Sequence, residues 1–167
     1  MKIVEHKIHK DNRGSYTAFL TNTEGISWDQ CSISTNDIQG TFRGLHYQTN
    51  PSQTKYIKVI KGAIIDFIVD LETKQTSNIL LNSHTDQAIL IPDNCAHGFL
   101  TLEPNTIVVY LVKGEYNPES EYSIVWDTIP EIKTIVENHT QNIIISKKDE
   151  NGKQNFKTIN QIRSINL

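Results

Sequence analysis

An all-β sandwich or barrel is the fold class this sequence predicts, and three observations predict it. Short runs rich in Ile, Val, Tyr and Phe recur at close spacing: "KYIKVIKGAIIDFIVDL", "QAILIPDNCAHGFLTL", "TIVVYLV" and "YSIVWDTI". Gly, Pro and Asn punctuate them at Lys61-Gly62, Pro92-Asp93-Asn94, Glu103-Pro104-Asn105 and Asn117-Pro118. Helical periodicity is scarce. With 167 residues, no internal repeat and no low-complexity linker, residues 1–167 are expected to form one domain.

Each element follows from local chemistry. Lys61-Gly62 reads as a hairpin turn between two β-branched runs. Pro92 stops one apolar run, and another begins after Asp93-Asn94. The Glu103-Pro104-Asn105 turn leads into "TIVVYLV", and Asn117-Pro118 leads into "YSIVWDTI", read as a strand. Only "IPEIKTIVENH" looks helical, with Pro130 in its first turn and Ile132, Ile135 and Val136 at helical spacing. The stretch 147–157 is polar, with Asn151-Gly152 as a turn, and is either a surface loop or a cover over the barrel.

Composition narrows the function classes. The chain is 37% hydrophobic and 21% charged, and 16 basic against 19 acidic residues leave a net charge of −3. No basic stripe invites nucleic acid, and a weak negative balance gives no attraction to anionic membranes. No apolar run approaches the ~20 residues of a membrane span. The start, "MKIVEHKIHKDNRG", carries charge throughout and does not read as a signal peptide. Cys31 and Cys95 are too few for a disulfide scaffold and are expected as buried free thiols in strands. The cytoplasm is the expected compartment.

Several polar residues interrupt the apolar strands. In "GTFRGLHYQ", Gly44, His46 and Gln48 share one face by strand alternation. Lys55 opens the next strand in line with Ile57 and Val59, although a lone strand-end lysine ordinarily reaches water. Asp66 lies inside "AIIDFIVD"; alone, it would be a turn cap or a surface ion pair. His97 precedes Gly98-Phe99 and alone would be satisfied by the backbone, while Tyr110 ends "TIVVY" and alone would be a core aromatic. Metal-binding cupin barrels use His-x-His with a glutamate and a later histidine. Here His46-Tyr47-Gln48 lacks the second histidine, and "PDNCAH" adds only His97. Two ligands are thin for a first-row metal, so no metal site is expected.

Taken in order, "DNRGSYTAF", "DQCSIS", "GTFRGLHYQ", "QTKYIKVIKGAIIDFIVDL", "CAHGF", "YNPESEYSIVWD" and "SKKD" resemble the dTDP-4-dehydrorhamnose 3,5-epimerase family. These are cupin-type jelly-roll barrels that act on nucleotide-linked 4-keto sugars. The resemblance is weakest after Thr128 and across "LTNTEGISW". It implies that His46 is a general base oriented by Asp149, that Lys55 stabilises an enolate oxygen, and that Tyr110 returns the proton from the opposite face. It implies further that Arg43, His97 and Asp66 surround the sugar and diphosphate. Arg13, Gln30, Glu121 and Lys148 match nucleotide-sugar contacts, some supplied by the second subunit of a homodimer, and Tyr116 matches a tyrosine stacked on the base. Tyr16 stands where the family has phenylalanine, Ala18 where it has glutamate, and Gln30-Cys31-Ser32 where it has Gln-Asp-Asn. Gln48 belongs to the same pocket wall. The altered positions lie at the nucleotide end and leave the nucleotide and the final sugar open.

The chemistry fits without the family. A ketone acidifies the neighbouring C–H bonds only if the developing enolate is stabilised. A histidine, with a pKa ordinarily about 6.5, can serve as a base near neutrality, and a carboxylate fixes its tautomer. An ammonium supplies charge where it develops, and a tyrosine hydroxyl can protonate a carbanion-like centre. No cofactor is required. The expected activity is therefore epimerisation at C3, C5 or both of a 4-keto-6-deoxyhexose carried on a nucleotide. The alternatives are a 3,4-ketoisomerase of the same fold, a non-catalytic sugar-binding cupin, and a metal-dependent cupin oxygenase.

Overall fold

A computed structural model describes residues 1–19 and 25–151 of the chain. These residues form strands β1 (Lys2–Glu5), β2 (Ile8–Asp11), β3 (Gly14–Thr17), β4 (Gln30–Asn36), β5 (Phe42–Gln48) and β6 (Thr54–Lys61). Strands β7 (Ala63–Asp70), β8 (Thr76–Asn82), β9 (Gln87–Ile91), β10 (Cys95–Thr101), β11 (Thr106–Lys113) and β12 (Glu121–Ser123) follow, then helices α1 (Pro130–His139) and α2 (Lys147–Glu150). One five-stranded sheet has the order β1-β9-β6-β11-β4, and the other β12-β5-β10-β7-β8. All the pairings are antiparallel. The two sheets face each other as a cupin-type jelly roll, as expected, and β2-β3 forms a separate hairpin.

Alternation along the strands sorts three apolar layers. Between the sheets lie Ile57 and Val59 of β6, Ile64 and Ile68 of β7, Leu81, Ile89, Ile91, Phe99 and Val108. Behind β5, β10 and β7, a second layer packs Phe42, Leu45, Tyr47, Ile65, Phe67, Val69 and Leu100 against Ile132 and Val136 of α1. Strand β7 thus buries both faces, which explains its nearly unbroken apolar run. The third layer covers the other sheet, where Tyr56, Ala88 and Leu111 meet Val4, Phe19, Trp28 and Leu90. Helix α1 begins on Pro130 and buries Ile132 and Val136, as its spacing predicts.

Three expectations change. Lys61-Gly62 is not a hairpin turn: β6 pairs with β9 and β11, while β7 pairs with β8 and β10, so the chain crosses between sheets there. Gly62 has φ +78°, and a Cβ on it would lie 2.3 Å from Thr106 Oγ1. A tight corner and a hairpin make the same demand on glycine, so the local signal could not separate them. "YSIVWDTI" is a strand to Ser123, and Ile124 still exchanges backbone hydrogen bonds with Leu45 of β5; beyond it Trp126–Thr128 form a 3₁₀ turn, and Ile129 is buried against α1. Cys95 is buried as expected, but Cys31 is exposed, because it lies on β4, an edge strand whose outer face is open among the described residues. Among the described residues, no helix is long and apolar enough to cross a membrane.

Candidate active site

Strand β5 builds one wall of the site through a bulge. His97 of β10 pairs with His46, but Phe99 pairs with Arg43, so β5 uses three steps where β10 uses two. The extra residue turns Arg43 to the inner face with His46, while Phe42, Leu45 and Tyr47 join the outer layer. Simple alternation, which placed Gly44 in line with His46, fails at this point. Gly44 has φ +112°, and a Cβ there would meet Gly98 Cα at 2.6 Å. Glycine on both strands lets β5 and β10 close against each other.

His46 Nε2 lies 2.7 Å from Asp149 Oδ1, and Gly44 N donates to Asp149 Oδ2 at 3.3 Å. The carboxylate only accepts, so Nε2 carries the proton and Nδ1 is the nitrogen left for a substrate. Asp149 is carried by α2, whose N-cap Ser146 accepts the Asp149 N–H through Oγ at 3.1 Å. Burial pushes the Asp149 carboxyl up, but the hydrogen bond and charge of His46, with help from Gly44 and Ser146, outweigh it and hold it below the usual range. The polar stretch after Lys147 therefore folds over the barrel as far as Asn151; its Asn151-Gly152 turn runs outside the described residues.

Lys55, inward on β6, donates from Nζ to His46 O at 3.4 Å. Burial pulls its ammonium down to about 8, against the opposing charges of Glu121 and Asp66. Asp66 is neither a turn cap nor a surface ion pair: it is 0% exposed and its Oδ2 lies 2.7 Å from His97 Nε2. Its Oδ1 has no hydrogen-bond partner among the described residues. Burial raises the Asp66 carboxyl, outweighing His97 and Lys55. His97 is thus satisfied by a carboxylate and not by the backbone.

Tyr110 faces the same space from β11. Its ring centroid stands 6.4 Å from that of Phe99, and its Oη lies 2.9 Å from Ser34 Oγ. Burial pushes its hydroxyl well above the usual range, while Ser34 and the charge of Arg43 pull the other way. Tyr116 and Lys148 both donate to Glu121 Oε2, at 2.9 and 2.6 Å. Burial raises the Glu121 carboxyl, but Lys148, Tyr116 and His46 together bring it below its ordinary value. Tyr116 leaves 53% of its surface exposed, so a ring face is open to a flat partner.

The remaining predicted residues stand differently. Gln48 is 3% exposed, and its amide is spent on the protein: Nε2 donates to Pro51 O and Glu115 O, and Oε1 accepts from Asn117 N. It clamps the loops behind the wall. Gln30, at the exposed start of β4, donates to Ser32 Oγ at 2.6 Å. Arg13 and Tyr16 are exposed on the β2-β3 hairpin, where Arg13 pairs with Asp11 at 2.6 Å; the fold of one chain does not bring them to His46. Sequence reasoning passed over Ser34 and Asn36. The signal was a polar residue at every second position, Gln30, Ser32, Ser34 and Asn36, facing inward on β4.

Among the described residues, no group of three or more His, Cys, Asp or Glu could hold a metal ion. The arrangement offers instead the imidazole of His46, the amine of Lys55 and the phenol of Tyr110, all facing the space between the sheets. A family sequence profile described as dTDP-4-dehydrorhamnose 3,5-epimerase matches residues 1–156. A Mycobacterium tuberculosis dTDP-4-dehydrorhamnose 3,5-epimerase is 36% identical over 132 residues, covering 70% of this chain; the match spans 64% of that relative's length. The crystal structure of a Bacillus anthracis dTDP-4-dehydrorhamnose 3,5-epimerase with TDP and PPi bound superposes with a TM-score of 0.82 at 34% identity, covering 90% of this chain and 91% of that one. A Legionella pneumophila dTDP-6-deoxy-D-glucose-3,5-epimerase in complex with dTDP-4-keto-L-rhamnose gives a TM-score of 0.84 at 28% identity, covering 99% and 90%.

Proposed function

The chain belongs to the dTDP-4-dehydrorhamnose 3,5-epimerase family, and from that premise we propose that it inverts C3, C5 or both of a dTDP-linked 4-keto-6-deoxyhexose. The observation that carries the reading is that His46, held by Asp149, touches Lys55, and that Tyr110 faces the same space between the sheets. His46 Nδ1 takes the proton from the carbon beside the ketone. The electron pair moves to O4, where the Lys55 ammonium stabilises the enolate. Tyr110 gives its hydroxyl proton to the same carbon from the opposite face, which inverts the centre. The phenolate then takes a proton from water, and the imidazolium returns one to water. Every charge this sequence needs is supplied by side chains, so the reaction is proposed to be independent of cofactor and metal.

Binding divides around this centre. Arg43, His97 and Asp66 border the sugar and diphosphate, and Tyr116 offers its open face to the base beside Glu121 and Lys148. Gln30 reaches the nucleotide end. Arg13 and Tyr16 complete the site of a partner subunit in a homodimer; their hairpin, exposed along nearly all of both strands, supports this placement. The unpaired Cys31 and Cys95 suit the reducing cytoplasm.

The deciding experiment is proton NMR of dTDP-4-keto-6-deoxyglucose with the protein in deuterated water. Deuterium uptake at C3 or C5 with formation of the inverted sugar is expected. Absence of uptake at both carbons, in a protein that binds the nucleotide sugar, would reject the epimerase reading. Light scattering of the purified chain tests the dimer, with a monomer at all concentrations as the contrary result.

A further inference from the structure

We infer that Ser34 and Asn36 are positioning residues that aim the Tyr110 hydroxyl proton at the sugar, as the inner links of a one-way hydrogen-bond line starting at Arg43. The inference rests on the proposed role of Tyr110 as the acid. Asn36 is 2% exposed at the end of β4, and its amide orientation is forced by its partners. Arg43 Nε can only donate, so the atom 2.7 Å from it must be Oδ1. Thr106 O can only accept, so the atom 3.1 Å from it must be Nδ2. The same Nδ2 donates to Ser34 Oγ at 3.3 Å.

Ser34 then has one hydrogen, and its oxygen stands 2.9 Å from Tyr110 Oη. If Tyr110 donated to Ser34, its proton would point away from the substrate. If Ser34 donates, the Tyr110 proton is left for the pocket, and every donor in the line points the same way, from the guanidinium toward the sugar. An N–H donated into Ser34 Oγ polarises its O–H and favours that direction. The arrangement also serves the step itself. As the Tyr110 O–H bond breaks and the carbon–hydrogen bond forms, the phenolate keeps the Ser34 hydrogen bond and faces the Arg43 charge. Burial makes that phenolate costly, and Ser34 and Arg43 are the groups that oppose the burial.

The test follows dTDP-4-keto-6-deoxyglucose in deuterated water and compares two rates at each carbon: deuterium exchange, which needs only His46, and net inversion, which also needs Tyr110. Ser34→Ala is expected to lower the ratio of inversion to exchange about tenfold or more, the loss associated with one hydrogen bond to a charged group. Ser34→Thr keeps the hydroxyl on a strand that tolerates β-branching and is expected to restore the ratio. Because a ratio is read, partial unfolding of a variant does not alter it. Equal slowing of exchange and inversion in Ser34→Ala, or no change in either, would overturn the inference. Tyr110→Phe is the parallel arm. If it still inverts, the acid assignment falls and the line loses its purpose; if it exchanges without inverting while Ser34→Ala behaves as wild type, only the line falls.

Discussion

The molecule contains the same contact twice, in two different settings. His46 and Asp149 meet at 2.7 Å, and so do His97 and Asp66. The first pair sits at the rim, with 28% of the His46 side chain exposed; the second is inside the barrel, where the Asp66 side chain is 0% exposed. Asp149 gains from Gly44 and Ser146 as well as from its histidine, and its carboxyl is held down. Asp66 has one oxygen without a hydrogen-bond partner among the described residues, and burial drives its carboxyl up. Distance is therefore a poor guide to what a histidine–carboxylate pair does. Solvent access and the remaining lone pairs are what separate the roles proposed for them: proton transfer for the rim pair, and a polar wall beside the sugar for the inner pair.

The largest expected effects break this contrast directly. His46→Ala should lower turnover by roughly 10²- to 10⁴-fold with a smaller loss of stability, since Gly44 and Ser146 still hold Asp149. His97→Ala should instead cost about 3–5 kcal/mol of stability, because it strands Asp66 without its partner. Chemical denaturation of both variants checks this, and equal destabilisation would dissolve the distinction. Lys55 lies between the two settings in character, charged yet desolvated. Lys55→Met is expected to lower kcat about 10²- to 10³-fold with a smaller effect on nucleotide-sugar affinity, since its charge matters most to the enolate. A loss confined to KM would move Lys55 from chemistry to binding.

The pH profile sharpens the same point. Enolate stabilisation needs protonated Lys55, whose value is pulled down to about 8. Raising the pH through that value removes the proton, so kcat/KM of the free enzyme should fall above pH about 8. A profile that stays flat to about pH 10, near the ordinary lysine value, would contradict it. Tyr116, which keeps an open ring face, gives a smaller signal. Tyr116→Ala should weaken nucleotide binding by the ~1–3 kcal/mol of a base stacked on an aromatic ring, with turnover at saturation retained. Calorimetry with dTDP reads this, and unchanged affinity would remove Tyr116 from the nucleotide site.

The smallest expected signal is a pair of opposite slopes. Asp149 is held below its unfolded value, so its stabilising contribution is present above that value and is lost as pH falls through the folded one. Asp66 is raised, so its contribution is full below the unfolded value and is lost as pH rises through the folded one. Melting curves of Asp149→Asn and Asp66→Asn against wild type should diverge in opposite directions with pH, by about 2–4 °C for each kcal/mol. Slopes of the same sign would mean that the two carboxylates share one environment after all.

By itself the sequence determined the all-β class, the central apolar strands, the single helix of any length and the chemical types at the site. Unbroken β-branched runs such as "AIIDFIVD" and the Pro130 start of α1 carry that information in neighbouring residues. It also placed Lys55 on the face of Ile57 and Val59, where the structure has it. The tertiary structure decided what no local pattern encodes. Gly62 joins two sheets and not two paired strands, because pairing depends on residues far along the chain. The bulge at Gly44 swings Arg43 into the pocket, and it can be seen only against β10. Asp149 reaches His46 from 103 residues away, and Ser34 reaches Tyr110 from 76, so their polar side chains looked ordinary until the fold set them together. Propensity and alternation act over a few residues, whereas a proton-transfer site is built from distances between residues that the chain keeps far apart.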